Sequence, residues 1–328
     1  MTPDQAAAHL LQGGLVGLPT ETVYGLAANA DDPAAVARIF EAKGRPTDHP
    51  LIVHLPGLTP DAWRAGVERY AVDVPAFAWR LMDAFWPGPL TLILPRRPGV
   101  GEAAAGGQAS IGLRCPSHPV AQAVLHAAQV LGVHGVAAPS ANRFGRVSPT
   151  TAAHVHSEFD TLVAPDQLLV VDGGPCEVGI ESTIVDASRG HLVLMRPGML
   201  DPAQLAQVAG VPLSARDEQA PRASGTLVSH YAPSARVRLM DATQIQAALD
   251  VLGADLHHIA LYTRTRMHPQ GRPAGRRDMP TNAADAAHDL FAALRDLDGP
   301  NTRLIWVETP PADSAWDGVR DRLQRAAA

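Results

Sequence analysis

Through residues 1–200 the apolar positions switch repeatedly between helical spacing and short continuous runs, the pattern of helices alternating with buried strands. Thr2 can cap a first helix with Pro3 at its first position, and Gly13-Gly14 ends it. Leu15 to Pro19 then reads as a short buried strand. A second helix starts at Asp32-Pro33, carries Val36, Ile39 and Phe40 at spacings of three and four, and stops at Gly44. Leu51 to His54 returns to strand. Helical patterns follow at 60–70 and 75–85, the second closed by Trp86-Pro87-Gly88-Pro89. Strands are expected at 90–94, 110–114, 135–138, 168–172, 181–186 and 191–196, with helices at 117–131 and 150–156. This is the pattern of an α/β domain with a large mixed sheet.

From Pro212 to Pro233 the rhythm breaks into a stretch rich in Ser, Ala, Pro and charge, long for a connection inside a compact domain and suited to a linker or a lid. Beyond it the pattern predicts strand 236–240, helix 242–252, strand 258–262, a basic loop 263–280, helix 282–296, strand 302–307 and helix 313–326. That order fits a small parallel-sheet, Rossmann-like domain with right-handed crossovers. The expected organisation is therefore a large α/β domain over 1–211, a linker or active-site lid over 212–234, and a small domain over 235–328.

Composition narrows the function. Hydrophobic residues at 46% and charged residues at 18% belong to a globular protein with a real core. A net charge of −6 argues against a surface given over to nucleic acid, while leaving room for a local basic cleft. Only Cys115 and Cys176 occur, which supports neither a disulfide framework nor a thiolate zinc site. The N-terminal residues lack a signal-peptide pattern, and no apolar run approaches the ~20 residues that span a bilayer, so a cytoplasmic protein without a membrane partner is expected. Among 27 Lys plus Arg there is a single lysine, Lys43. Either it survives by chance, or it stands where a compact ammonium fits and a planar guanidinium does not.

Phosphate-binding signatures of the Walker and dinucleotide types are absent, as is H-E-x-x-H. Instead, polar groups gather at strand ends. Thr20-Glu21-Thr22 follows the first strand, where a ligand crevice of an α/β sheet would lie, or merely forms the turn that starts the next helix. Lys43 and Arg45 flank Gly44 at a helix C-terminus, where they either answer the helix dipole or clamp a polyphosphate. Ser110, Gly112 and Arg114 alternate onto one strand face, and a buried arginine there needs an anionic partner, whether ligand or internal acid. Ser140, Asn142 and Ser148 lie in a polar loop, Glu181-Ser182-Thr183 opens a strand, and Arg196 closes one. Tyr231, in His230-Tyr231-Ala232-Pro233, offers a ring either to cover an adenine or to anchor the second domain.

Taken together, "PTETVYGL", "IFEAKGRPTDHPLIVH", "WPGPLTLIL", "IGLRCPSHP", "APSANRFGRVSPT", "GIESTIVD" and "LMRPG" closely resemble the threonylcarbamoyl-AMP synthases, the YrdC-domain family, in order and register over residues 5–200. The linker and small domain are similar to that family's two-domain form, although "SGTLVSHYAP" departs from its commoner "PGMxYxHYAP". The resemblance implies a YrdC-like twisted mixed-sheet domain that makes threonylcarbamoyl-AMP and pyrophosphate from L-threonine, bicarbonate and ATP, for threonylcarbamoyladenosine modification of tRNA. It implies L-threonine contacts at Thr22, His54, Arg114, Ser182 and the backbone near Ala138. It implies ATP contacts at Lys43, Arg45, His49, Ser110, Ser140, Asn142, Ser148, Arg196 and Tyr231, with Lys43 and Arg45 also catalytic through electrostatic stabilisation. Mg²⁺ would be held mainly by the ATP phosphates, and downstream tRNA threonylcarbamoyl-transfer proteins would collect the product. The competing reading is a double-stranded RNA or tRNA-binding module without catalysis, to which the loop bearing Arg264, Arg266, Arg272, Arg276 and Arg277 would add a weak tRNA contact.

Overall fold

Prolines and small polar caps mark out the helices. The structure, a computed structural model, describes residues 1–328. Helix α1 (Pro3–Leu11) opens with a capping box, in which Thr2 accepts from the Gln5 amide and the Gln5 side chain accepts from the Thr2 amide. Helix α2 (Pro33–Lys43) is capped by Asp32, which accepts from the amides of Ala34 and Ala35. It ends at Gly44 in the left-handed region, φ +60°, where a side chain would be strained. Helices α3 (Pro60–Tyr70), α4 (Ala76–Phe85), α5 (Pro119–Val130), α6 (Ala152–Phe159) and α7 (Pro202–Ala209) complete the helices of the first body, which spans 1–144, 149–177 and 181–226.

Its strands are β1 (Leu15–Leu18), β2 (Gly25–Asn29), β3 (Ile52–His54), β4 (Leu90–Pro95), β5 (Ser110–Arg114), β6 (Val136–Ala137), β7 (Leu168–Val170), β8 (Thr183–Asp186), β9 (Leu192–Arg196) and β10 (Leu213–Ala215). They form one mixed sheet in the order β10-β9-β8-β4-β5-β3-β6-β2-β1-β7. Alternation along each strand splits the side chains between two faces. One face sends Leu26, Val53, Leu92, Ile111 and Leu113 into a large cluster with Val36 and Ile39 of α2, Leu81 of α4 and Phe159 of α6. On the other face Val16, Leu18, Ala27 and Val136 meet Leu10 of α1 and Val124 and Leu125 of α5. Farther along this second face, Ile93, Ile184, Val193 and Met195 are covered by Ala220 and Ala223 from the segment after β10.

The second body comprises 145–148, 178–180 and 227–328. Its strands β11 (Arg236–Met240), β12 (Ile259–Thr263), β13 (Gly275–Asp278) and β14 (Leu304–Glu308) lie parallel in the order β11-β14-β12-β13. Helix α8 (Ala242–Leu252) connects β11 to β12, α9 (Ala283–Leu297) connects β13 to β14, and α10 (Asp317–Ala326) follows. Glu308, buried at the end of β14, accepts from the amides of Arg264 (2.8 Å) and Thr265 (2.7 Å), the Thr265 hydroxyl and the Arg264 guanidinium.

Three stretches differ from the periodicity. Residues after Thr22 continue into β2, antiparallel to β1, rather than starting a helix. The Pro212–Pro233 stretch opens with β10, parallel to β9, and helix α7 precedes it. The basic loop contains β13, an edge strand on β12 whose Arg276 and Arg277 gave no apolar alternation to read.

Trp63 of α3 is fully buried, 5.4 Å edge-on from Trp86 and 6.3 Å in a stack with Trp79. Trp63→Ala is expected to lower unfolding free energy by about 3–5 kcal/mol, read by urea denaturation of the first body's transition.

Candidate active site

The site occupies the second face of the first body's sheet, where β3, β5 and β6 meet. Strand pairing sets His54 beside Arg114 across β3 and β5, and beside Val136 across β3 and β6. Ser110, Gly112 and Arg114 share the face opposite to Ile111 and Leu113, as the alternation required. Ser110 and Gly112 line a narrow cavity with Thr91, Ile52 and Ile184, roofed by Arg222, Ala223 and Ser224.

The left-handed turn at Gly44 folds the chain back, with the Arg45 amide donating to Phe40 O, so that Lys43 and Arg45 are both buried. Lys43 Nζ donates to the backbone carbonyls of Ser140 (2.6 Å) and Asn142. Those carbonyls lie on a loop fixed by the Gly25–Ser140 bridge and by the Ala141 amide donating to Tyr24 O. Burial first, and the Arg45 guanidinium second, push the Lys43 ammonium well below its ordinary pKa, against opposing pulls from Glu158 and Glu181. A compact ammonium suits this two-carbonyl seat.

Arg45 donates to Pro50 O (2.9 Å) and to the Ser224 hydroxyl (3.1 Å), and its guanidinium stands 5.8 Å from the Phe144 ring. Half-buried His49 meets the same ring edge-on at 5.5 Å. Its pKa is lowered by partial burial and then by Arg45. Arg196 donates to the Ser182 carbonyl (3.0 Å from Nη2) and hydroxyl (3.3 Å), and to the Ser224 carbonyl (3.1 Å). Ser224 therefore links the two arginines. The Ser182 hydroxyl is also 2.8 Å from the Thr91 hydroxyl, both buried.

Arg114 donates to Thr22 Oγ1 (2.8 Å) and, at 3.4 Å, to Gly88 O, and lies 2.7 Å from Glu21. His54 is buried, with Nδ1 3.2 Å from Ile52 O. Desolvation, then the Arg114 charge, lower its pKa to about 3, so the ring is neutral at physiological pH. Cys115 and Cys176 are buried, free thiols pushed up to about 12 by burial, and are therefore not nucleophiles.

Of the residues singled out in the sequence, the first body gathers Thr22, His54 and Arg114 in one web, and Arg45, Arg196 and Ser182 in another. Lys43 joins the loop of Ser140 and Asn142, and Ala138, whose amide donates to Ile52 O, adjoins β3. Ser148 and Tyr231 belong to the second body. There Ser148 is fully buried, its carbonyl 3.4 Å from Arg295 Nε. The Tyr231 ring packs against Phe291 at 5.5 Å and under the Arg322 guanidinium at 5.5 Å, on left-handed backbone with φ +62°. The sequence reading missed Thr91 and Ser224. Thr91 could have been flagged as a hydroxyl in an otherwise apolar strand, whereas nothing in the pattern marked Ser224.

Buried cations whose donors meet carbonyls and hydroxyls give this α/β domain a site suited to an anionic ligand. A family model described as "Telomere recombination" matches residues 8–198, and one described as "Threonylcarbamoyl-AMP synthase, C-terminal domain" matches 200–328. The chain is 34% identical over 339 residues to the threonylcarbamoyl-AMP synthase of Pyrococcus abyssi, covering 98% of this chain and 92% of that one. It is 34% identical over 336 residues to the Bacillus subtilis enzyme of the same name, again covering 98% and 92%. The crystal structure of P. abyssi Sua5 complexed with L-threonine superposes with a TM-score of 0.84 at 32% identity, covering 99% of this chain and 94% of that chain. The chain belongs to the threonylcarbamoyl-AMP synthase family.

Because His54 is depressed in the folded state, the unfolded chain binds the extra proton first as pH falls. Stability contributed by neutral His54 is complete above about pH 6.5 and is lost as pH drops toward about 3. Relative to the unaltered chain, His54→Gln should flatten the fall in urea-unfolding free energy across that window, a difference on the order of a few kcal/mol.

Proposed function

We propose that this chain is an L-threonylcarbamoyladenylate synthase, joining L-threonine, bicarbonate and ATP into threonylcarbamoyl-AMP with release of pyrophosphate, to serve threonylcarbamoyladenosine modification of tRNA. The observation that carries the reading is the set of buried cations of the first body, Lys43, Arg45, Arg114 and Arg196, in a chain matched end to end by enzymes of that name. The solved relative with L-threonine bound supports the amino-acid half.

The amine loses a proton and bonds to the carbon of bicarbonate as water leaves, and an oxygen of the resulting carbamate attacks the α-phosphorus of ATP. Charge grows on the phosphate oxygens, so the chain's task is positioning and electrostatic stabilisation rather than nucleophilic chemistry. Lys43 and Arg45 hold the polyphosphate, with Arg196, Ser110, His49, Ser140 and Asn142 around the nucleotide. Arg114, Thr22, His54, Ser182 and the backbone at Ala138 hold the amino acid. No cluster of three or more His, Cys, Asp and Glu side chains offers a metal cage. In this reading a Mg²⁺ ion is carried mainly by ATP oxygens, where it would neutralise phosphate charge. For Ser148 and Tyr231, of the second body, a nucleotide contact rests on the family resemblance alone. The segment of residues 212–234 acts as a lid, since Ser224 holds the donors of Arg45 and Arg196 that phosphate oxygens would take.

The RNA-binding alternative draws little support from the second body's basic loop. Arg264 is committed to Glu308, Arg277 to Asp289 and Asp296, and Arg276 lies 3.6 Å from Asp278. No helix is long and apolar enough to cross a membrane. In this reading the enzyme is cytoplasmic and hands its product to tRNA threonylcarbamoyl-transfer proteins.

Pyrophosphate release that requires ATP, L-threonine and bicarbonate together is the expected result with purified protein. Release indifferent to threonine would end the assignment. Lys43→Met, which fills the same space without charge, should lower turnover by about 100-fold or more while the thermal unfolding curve persists. Phosphate charge restores the depressed ammonium, so ATP binding at alkaline pH should take up a proton in the unaltered chain and less in Lys43→Met. Calorimetry in buffers of different ionisation enthalpy reads this difference.

A further inference from the structure

Glu21 lies within the PTETVYGL run but has no role in the mechanism above. It is 3% exposed, in the turn between β1 and β2, flanked by Thr20 and Thr22. Its Oε1 lies 2.7 Å from Arg114 Nη2, an ion-pair distance, but the two groups are out of hydrogen-bond alignment. Both carboxylate oxygens of Glu21 and Nη2 of Arg114 are buried without a hydrogen-bond partner. Such orphans are costly in a native interior and call for a ligand.

The hydroxyls beside them restrict what that ligand is. Thr20 spends its hydroxyl proton on Val23 O, at 2.6 Å. The 2.9 Å contact between Thr20 and Thr22 is then donated by Thr22. Thr22 Oγ1 also accepts from Arg114 Nη1, so its remaining capacity toward a ligand is as an acceptor. The web thus presents one unfilled guanidinium donor side by side with three unfilled acceptor positions, two of them on a carboxylate. The neighbouring thiols of Cys115 and Cys176 remain protonated and add no charge.

An amino-acid zwitterion has the complementary pattern, a carboxylate acceptor one carbon away from an ammonium with three donors. We infer that Glu21 is the ammonium-binding residue of the amino-acid site, its carboxylate accepting from the substrate's amine with Thr22 while Arg114 Nη2 takes the substrate's carboxylate. Arg114 and Glu21 are then one charge-matched pair, and the site selects molecules that carry both charges on adjacent groups. This assignment rests on the amino-acid half of the proposed function.

Calorimetric titration of the full chain with L-threonine and with 3-hydroxybutyrate, its des-amino analogue, tests it in the unaltered protein and in Glu21→Gln. The unaltered chain should prefer L-threonine by at least about tenfold, and Glu21→Gln should weaken L-threonine by at least about tenfold while leaving 3-hydroxybutyrate within about twofold. An unchanged L-threonine affinity in Glu21→Gln, or an equal loss for both ligands, would overturn the inference. If that variant does not fold, equal affinity of the unaltered chain for the two ligands overturns it and the expected preference upholds it. Failure of L-threonine to bind the unaltered chain at all would instead strike down the proposed function, and this assignment with it.

Discussion

Holding several cations out of water is the constraint around which the first body's site is organised. Lys43, Arg45, Arg114 and Arg196 are each 8% exposed or less. A buried cation needs either a counter-ion or enough acceptors for its N–H groups. Lys43, Arg45 and Arg196 each donate to backbone carbonyls, among them those of Ser140, Asn142, Pro50, Ser182 and Ser224. Carbonyl dipoles satisfy the donors while leaving the net charge in place. An anion entering the site then meets positive groups already desolvated and already oriented, the condition under which electrostatic stabilisation is strongest.

The elements follow from that requirement. Gly44 must be left-handed so that the chain reverses and both Lys43 and Arg45 turn inward from the end of α2. The loop after β6 must be pinned to Tyr24 and Gly25, because its carbonyls form the lysine's seat. Ser224 lends its carbonyl and hydroxyl to Arg196 and Arg45 from a segment far along the chain, supplying acceptors that a phosphate can replace. Arg114 faces the Glu21 carboxylate at contact distance, and that pairing leaves hydrogen-bonding capacity on both partners.

Much of the fold was legible because its signals are local. The capped helices α1 and α2, the apolar strands β4 and β5 and the small domain's β11, β12 and β14 followed from spacing and punctuation. β2 was not legible, because Gly-Leu-Ala-Ala-Asn has no strand alternation and becomes a strand only by pairing with β1 and β6. β13 was hidden for the same reason, its Gly-Arg-Arg-Asp reading as a solvated loop until β12 supplies the hydrogen bonds.

At the site, the chain alone determined which residue types were available: the lone lysine beside an arginine, an arginine at the end of an alternating strand, and Ser, Thr and Asn at strand termini. Periodicity also placed Ser110, Gly112 and Arg114 on one face, since strand geometry dictates it. Tertiary structure decided who meets whom. The Lys43 ammonium on the carbonyls of Ser140 and Asn142, Ser224 between Arg45 and Arg196, and Glu21 against Arg114 join residues up to 179 positions apart. Hydrogen-bond direction and burial are properties of three-dimensional contact, and no one-dimensional spacing encodes contacts between elements brought together by the sheet.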